Sequence, residues 1–343
     1  MKKRSMNIRI IFTCLVTALL LNACTNDLNL TSDWKDISVV YGLINKSDQN
    51  HYIRVEKAFL DEETSALLLA QEADSIFYED VSVFLEKVNS GEQFELQRVD
   101  GTQIGFDKEE GIFVDEPNFL YTIDSTSLDL KNGELVKFIL NRGDNLPQVT
   151  ANTVVLGDME LKSPGSNGDS RTFSFAYEFN EDVRFTAPEE ALIFDVRLRI
   201  NYQEFKKADP GSTLEDKSLE WIWDRSATRA SEGDQQVKVE INGESFFTYL
   251  GDNLENNPEL GRIYKGIDVI ITGGGEELAT FIEIKNANTG ITSAQDLPFY
   301  TNLSEGRGVF SSRNTLEVFD IEIAPNTRDS LRNGIHTMDL NFL

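Results

Sequence analysis

Thiols are almost absent from this chain of 343 residues. Only Cys14 and Cys24 occur, both close to the start. Beyond residue 24 there is no cysteine for a disulfide, a cysteine-zinc cluster or a thiol nucleophile. Histidine is as scarce, with His51 and His336 near opposite ends. A Ser-His-Asp triad needs a base within ~3 Å of its nucleophile and a third group to orient it. Two histidines so placed forecast no such arrangement. Each reads as a residue on the apolar face of a strand, His336 together with Met338, Leu340 and Phe342. No Gly-x-Ser-x-Gly elbow and no His-Glu-x-x-His pair occurs. Basic residues are few: 32 Lys and Arg against 58 Asp and Glu, a net charge of −26. A polyanion of that size is repelled by nucleic acid, which is excluded as a partner. The acid is spread along the chain. It reads as a solvated surface, or more sharply as divalent-cation binding. Long apolar runs are lacking too. The longest, Ile10 to Leu21, is well short of the ~20 residues that cross a bilayer.

That run is nonetheless informative. Lys2, Lys3, Arg4 and Arg9 precede it as a basic segment, which makes residues 1–23 a secretory signal. The run ends Leu21-Asn22-Ala23-Cys24. This resembles the lipobox of bacterial lipoproteins. The resemblance implies diacylglycerol on the Cys24 sulfur, cleavage before Cys24 and N-acylation of the new terminus. Each buried methylene adds about 0.8 kcal/mol, and two or more chains anchor a protein stably. Thr25, not Asp, follows the cysteine, which implies delivery to the outer membrane. Removal of residues 1–23 takes away four basic and no acidic side chains, leaving the rest more negative still. Residues 24–36 form a polar tether, and residues 25–35 reach at most ~40 Å when extended.

From there the chain reads as mainly β, as two β-sandwich-like domains of immunoglobulin or fibronectin type with one or two short inserted helices. Ile37–Ile44 and His51–Phe59 are strands. The second alternates His51, Ile53 and Val55 against Tyr52, Arg54 and Glu56. Asp61–Ala73, with acid first and Leu67-Leu68-Leu69 after it, reads as a surface helix. Strands follow near 81–88, 93–99, 119–123, 134–141 and 149–156. Ser163-Pro164-Gly165-Ser166-Asn167-Gly168-Asp169 is rich in turn residues. It sets the expected organisation: a domain over 37–160, a linker over 161–171 and a β-rich domain over 172–343. In the second half, strands are expected at 172–179, 193–202, 219–223 and 236–241. Ser245 reads as the N-cap of a helix bearing Phe246, Tyr249, Leu250 and Leu254. Residues 267–272 and 278–284 read as a hairpin around Gly273-Gly274-Gly275. Strands at 309–310, 315–323 and 335–342 complete the chain.

Few sites stand out. Trp221 and Trp223 flank Ile222, so both rings point to one face of a strand. Such a pair fills a core or forms a candidate ligand platform, for instance for a sugar ring. Gly273-Gly274-Gly275-Glu276-Glu277 lacks the Gly-Lys-Ser/Thr end of a phosphate loop, and its glutamates repel phosphate. Asp100–Glu110 departs from the Asp-x-Asp-x-Asp-Gly calcium pattern. The abundant acids single out no carboxylate pair for glycoside hydrolysis. No catalytic residue, metal ligand or cofactor is expected.

Three stretches carry a further resemblance: "DISVVYGLINKSDQNHYIRVEKAFL" (Asp36–Leu60), "EINGESFFTYLGDNL" (Glu240–Leu254) and "LPFYTNLSEGRGVFSSRN" (Leu297–Asn314). They resemble a family of Bacteroidetes outer-membrane lipoproteins carrying a domain of unknown function. The family's early "V-x-G-L-x-N" is met by Val40, Gly42, Leu43 and Asn45. Its late "Y-(S/T)-N-x-x-x-G-x-G-x-F" is met by Tyr300, Thr301, Asn302, Gly306, Gly308 and Phe310. The resemblance implies two β-rich domains and genes often adjacent to TonB-dependent receptors. It supplies no enzyme activity. Gly306 and Gly308 also have a local reading: glycine permits positive φ or close backbone approach. The expected function is that of a lipid-anchored outer-membrane or cell-surface lipoprotein, non-enzymatic, with a binding or accessory role beside a TonB-dependent receptor. Alternatives are a surface hydrolase working through two carboxylates, and a fimbrial or adhesin subunit with an open strand groove.

Overall fold

The computed structural model describes residues 37–58, 64–143, 145–167, 170–209, 213–231, 233–288 and 298–343. Cys24, the signal, the tether, the Asp61–Glu63 acids and the Gly168-Asp169 turn lie outside the described residues. The expected fold class holds: the protein is mainly β, built from packed sheets with short helices between strands.

In the first half, β1 (Ser38–Ile44), β2 (Asn50–Lys57), β5 (Gln97–Asp100) and β6 (Phe119–Asp124) lie side by side in the order β1-β2-β6-β5. The alternation of β2 does what its period dictates, and His51, Ile53 and Val55 are all buried. They face a second sheet of β3 (Ser82–Lys87), β4 (Glu92–Glu95), β7 (Leu135–Asn141) and β8 (Val149–Val154), ordered β4-β3-β7-β8. Val40, Ile53 and Val55 meet Val83, Leu85, Phe138 and Leu140 in one apolar cluster.

The second half repeats the plan. Three long strands, β13 (Ala191–Lys206), β14 (Glu215–Ala227) and β16 (Leu260–Gly275), join β17 (Arg307–Ile323) in the order β14-β13-β16-β17. Phe194, Val196, Leu198, Ile200 and Tyr202 of β13 are all buried, as the period of two requires. They pack on β9 (Glu160–Ser163), β12 (Asn180–Thr186) and β15 (Gln236–Asn242) and on helix α1 (Gly243–Asn253). The division between the two clusters falls between Val155 and Leu156. Late residues cross it: Leu303 and Phe310 belong to the first cluster.

β17 is the seam. Its first part pairs in parallel with β1, Val40 opposite Gly308 and Gly42 opposite Phe310. Its later part pairs antiparallel with β16, Thr272 opposite Thr315. One continuous sheet therefore runs through both sandwiches.

Several elements differ from expectation. Residues 93–99 are not one strand. β4 and β5 belong to different sheets, and buried Leu96 marks the switch. The expected helix over 61–73 is reduced to single turns at Ala66–Leu69 and Ala73–Ile76. Leu67 and Leu68 stay exposed, so no packing extends the turn. The expected linker over 161–171 contains paired strands among its described residues. β9 pairs with β12, and β10 (Ser166–Asn167) pairs with β11 (Ser170–Phe173). Arg171 holds the hairpin, donating to Leu161 O at 3.0 Å and Pro164 O at 2.6 Å. The strand expected over 172–179 stops at Phe173, although Phe173 and Phe175 are both buried.

The glycine triplet is no hairpin turn. Gly273, Gly274 and Gly275 lie in β16 opposite Phe194, Ile193 and Ala191. A Cβ on Gly274 would meet Leu278 at 2.8 Å, so the glycines admit the next element. That element is helix α2 (Glu276–Asn288), where a strand over 278–284 is the sequence reading. Glu276 and Glu277 in its first turn and Lys285 in its last suit the helix dipole. Residues 335–342 are not a strand either. Helix α3 (Pro325–Asn333) starts on a proline, which fits the first turn, and a 3-10 turn at Met338–Leu340 follows it. His336 is thus in a connection, with Nε2 at 3.5 Å from Glu244, and Met338 is 55% exposed. Among the described residues no helix is long and apolar enough to cross a membrane.

Candidate functional site: an aromatic dish beside helix α1

Asn242 ends β15 and caps α1, its Oδ1 accepting from Ser245 N–H at 3.0 Å. The cap is therefore Asn242 and not Ser245. Both have the right chemistry, but Asn242 holds the extended backbone a cap needs. From that start the helix buries Phe246, Phe247 and Leu250 and turns Tyr249 toward β14.

There Tyr249 meets the tryptophan pair. Its ring stacks on Trp221 at 5.0 Å and 13°. Trp223 meets Trp221 edge-on at 4.5 Å and 83°. Trp221 is a core residue, 7% exposed, while Trp223 and Tyr249 are half-buried at the rim. The polar ends of the rim rings are fixed. Trp223 Nε1–H donates to Glu240 O of β15 at 2.7 Å, and the Tyr249 hydroxyl donates to Glu220 O of β14 at 2.6 Å. Burial, then Glu220, push the Tyr249 phenol above its ordinary range. The three rings thus lock two sheet edges together and leave a shallow dish of about 450 Å³ over them. Glu244, Thr248 and Asp252 of α1 complete its wall. Such rings are pre-organised, so a ligand resting on them orders little more side chain on arrival.

The tryptophans are therefore both core and rim. Tyr249, Glu244 and Asp252 are the residues of the dish that the sequence reading leaves out. Their helix is legible, but its docking on β14 is a long-range contact with no local signal.

Other candidates lie elsewhere. His51 is 1% exposed, and neither ring nitrogen has a hydrogen-bond partner among the described residues. A hollow of about 680 Å³ surrounds Arg229, whose guanidinium is engaged with the carbonyls of Ala187, Pro188 and Ala191. Another of about 410 Å³ contains Arg54 and Lys108, held by Glu56 at 3.1 Å and by Val114 O at 3.0 Å. Carboxylates with shifted titration move downward. Hydrogen bonds from Thr126 and Ser127 bring Asp124 to about 2. A hydrogen bond from Lys46 lowers Asp158, and one from Lys131 lowers Asp129. Among the described residues no cluster of three or more His, Cys, Asp or Glu could hold a metal ion.

No protein-family model matches the chain, and no curated protein matches it. One solved structure it is similar to is the crystal structure of the C-terminal globular domain of an oligosaccharyltransferase from Pyrococcus abyssi. The identity is 10%, over 68% of this chain and 46% of that one, at a TM-score of 0.24. The chain thus spans under half the length of that protein. At that TM-score the likeness carries no argument about the site.

Proposed function

We propose that the chain is a lipid-anchored, non-enzymatic binding protein of the outer membrane, accessory to a TonB-dependent receptor. The observation that carries the reading is Leu21-Asn22-Ala23-Cys24 at the end of a basic-then-apolar leader. Acyl chains on Cys24 hold the protein at the membrane, and a short polar tether leads to β1. The receptor rests on the family resemblance of Val40–Asn45 and Tyr300–Phe310. The aromatic dish supports a binding role, with Trp221 and Trp223 at the platform the tryptophan spacing suggests.

Density-gradient separation of envelope fractions tests the location. Wild type bands with the outer membrane and resists extraction with alkaline carbonate. The Cys24→Ala chain moves to the soluble fraction. Equal distribution of the two would defeat the anchor. Recovery of an outer-membrane barrel with the detergent-solubilised protein supports the accessory role, and recovery of the protein alone opposes it.

A further inference from the structure

The ligand class of the dish follows from which of its groups remain free. Asn242 Nδ2 donates to Asn180 Oδ1 at 3.2 Å, and Thr248 Oγ1 donates to Glu244 O at 3.0 Å. With the Trp223 and Tyr249 donors also engaged, few donors are left to face a ligand. The groups that face the opening are the exposed carboxylates of Glu244 and Asp252 and the half-buried rings of Trp223 and Tyr249, with Trp221 buried beneath them. His336 approaches Glu244, and no Lys or Arg lines the dish. A neutral sugar presents hydroxyls that need donors and acceptors in alternation. This wall offers acceptors and π-faces. Both attract cations: carboxylates by charge, aromatic faces by their quadrupole. A net charge of −26 draws positive ligands from a distance.

We propose that the dish binds an organic cation, the guanidinium or ammonium group of an Arg or Lys side chain presented by a basic peptide segment. The cation lies against Trp223 and Tyr249 and pairs with Glu244 and Asp252. The proposal rests on the binding-protein reading, but its test does not depend on the anchor.

The experiment uses the full chain in detergent with Trp34→Phe, so that emission comes from Trp221 and Trp223 alone. Three probes are titrated: a blocked tri-arginine peptide, choline and a neutral glucan hexamer. The peptide shifts the emission, and binding weakens as salt rises. Glu244→Gln with Asp252→Asn weakens it about tenfold. Both residues are exposed, so circular dichroism and melting stay as in the parent. Removing the same charge at exposed Glu109 and Glu110, as Glu109→Gln with Glu110→Gln, leaves the affinity unchanged. Trp223→Leu abolishes peptide binding although the carboxylates remain. Choline binding as tightly as the peptide would assign the site to a small quaternary ammonium ion and overturn the peptide assignment. Three results overturn the cation site itself: no emission shift with either cation, equal loss in the two charge-removal variants, or a glucan response that the cations fail to match. Repeating the titration on the Cys24→Ala chain separates the two claims, since the dish binds the peptide with or without the lipid.

Discussion

Gly308, at φ 105°, lies so close to the carbonyl oxygen of Val40 that no side chain fits between them. The contact joins β1 to β17, the two strands that carry the early and late family-like stretches. Gly306, at φ 117°, makes a similar approach to Ser38 O. Asn302 completes the junction. Its amide oxygen accepts from Phe310 N–H at 3.0 Å and its Nδ2 donates to Phe310 O at 2.7 Å, as a neighbouring strand would. The Gly-x-Gly pattern is thus a backbone requirement of the seam.

Gly308→Ala is expected to cost about 2–3 kcal/mol, combining left-handed strain with overlap against Val40. Gly91→Ala, at φ 71° with open space around it, costs about 1 kcal/mol. Urea unfolding of the two variants measures the difference. Equal losses would mean that the seam yields freely.

A fragment ending at Glu160 is expected not to fold. It retains β1 but loses the β17 partner and the apolar groups of Leu303 and Phe310. Circular dichroism and amide dispersion of residues 25–160 check this, with a coil-like spectrum as the expected outcome.

His51 makes stability depend on pH. Burial lowers its pKa below the ordinary 6.5, against the upward pull of Asp48 and Asp124. The folded imidazole stays neutral where the unfolded one takes a proton. Its contribution is complete above pH 6.5 and is lost as pH falls below that value. The urea midpoint of wild type is expected to drop between about pH 7.5 and 5.5. In His51→Phe that drop is absent.

Arg262 and Glu204 form the most buried ion pair described, Nε to Oε1 at 2.8 Å with side chains 1% and 8% exposed. Arg262 also donates to Leu340 O at 2.8 Å and Glu255 O at 2.9 Å, tying the C-terminal segment to β16. Burial alone would raise the Glu204 carboxyl, but hydrogen bonds from Lys217 and Arg262 outweigh it and hold the pKa low. Glu204→Met strands a buried guanidinium and is expected to cost about 3–5 kcal/mol. Adding Arg262→Met restores part of that loss in denaturant unfolding: the stranded charge is gone, but the carbonyls of Leu340 and Glu255 lose their donor.

The long alternating strands were legible because one face of each is buried. β15 follows its period from end to end, β2 does so from Asn50 to Glu56, and β13 from Phe194 to Phe205, after the adjacent buried pair Ile193 and Phe194. Legibility failed where length or chain-distant contact decides. Leu278–Ile284 has the residue types of a strand, and only the acids before it and Lys285 after it point to a helix. Residues 161–171 have the composition of a linker, yet Leu161 pairs with Phe185 and accepts from Arg171, contacts that the local sequence does not signal. The dish was half legible. Trp221 and Trp223 stand out by spacing, whereas Tyr249 joins them only because α1 docks on β14.

The anchor is tested most directly by growing cells with radiolabelled palmitate and isolating the protein. Label is predicted on the wild-type chain, at a new N-terminus formed by Cys24, and none on Cys24→Ala. Equal labelling of the two, or an unmodified Cys24 on a freely diffusing product, would contradict the account.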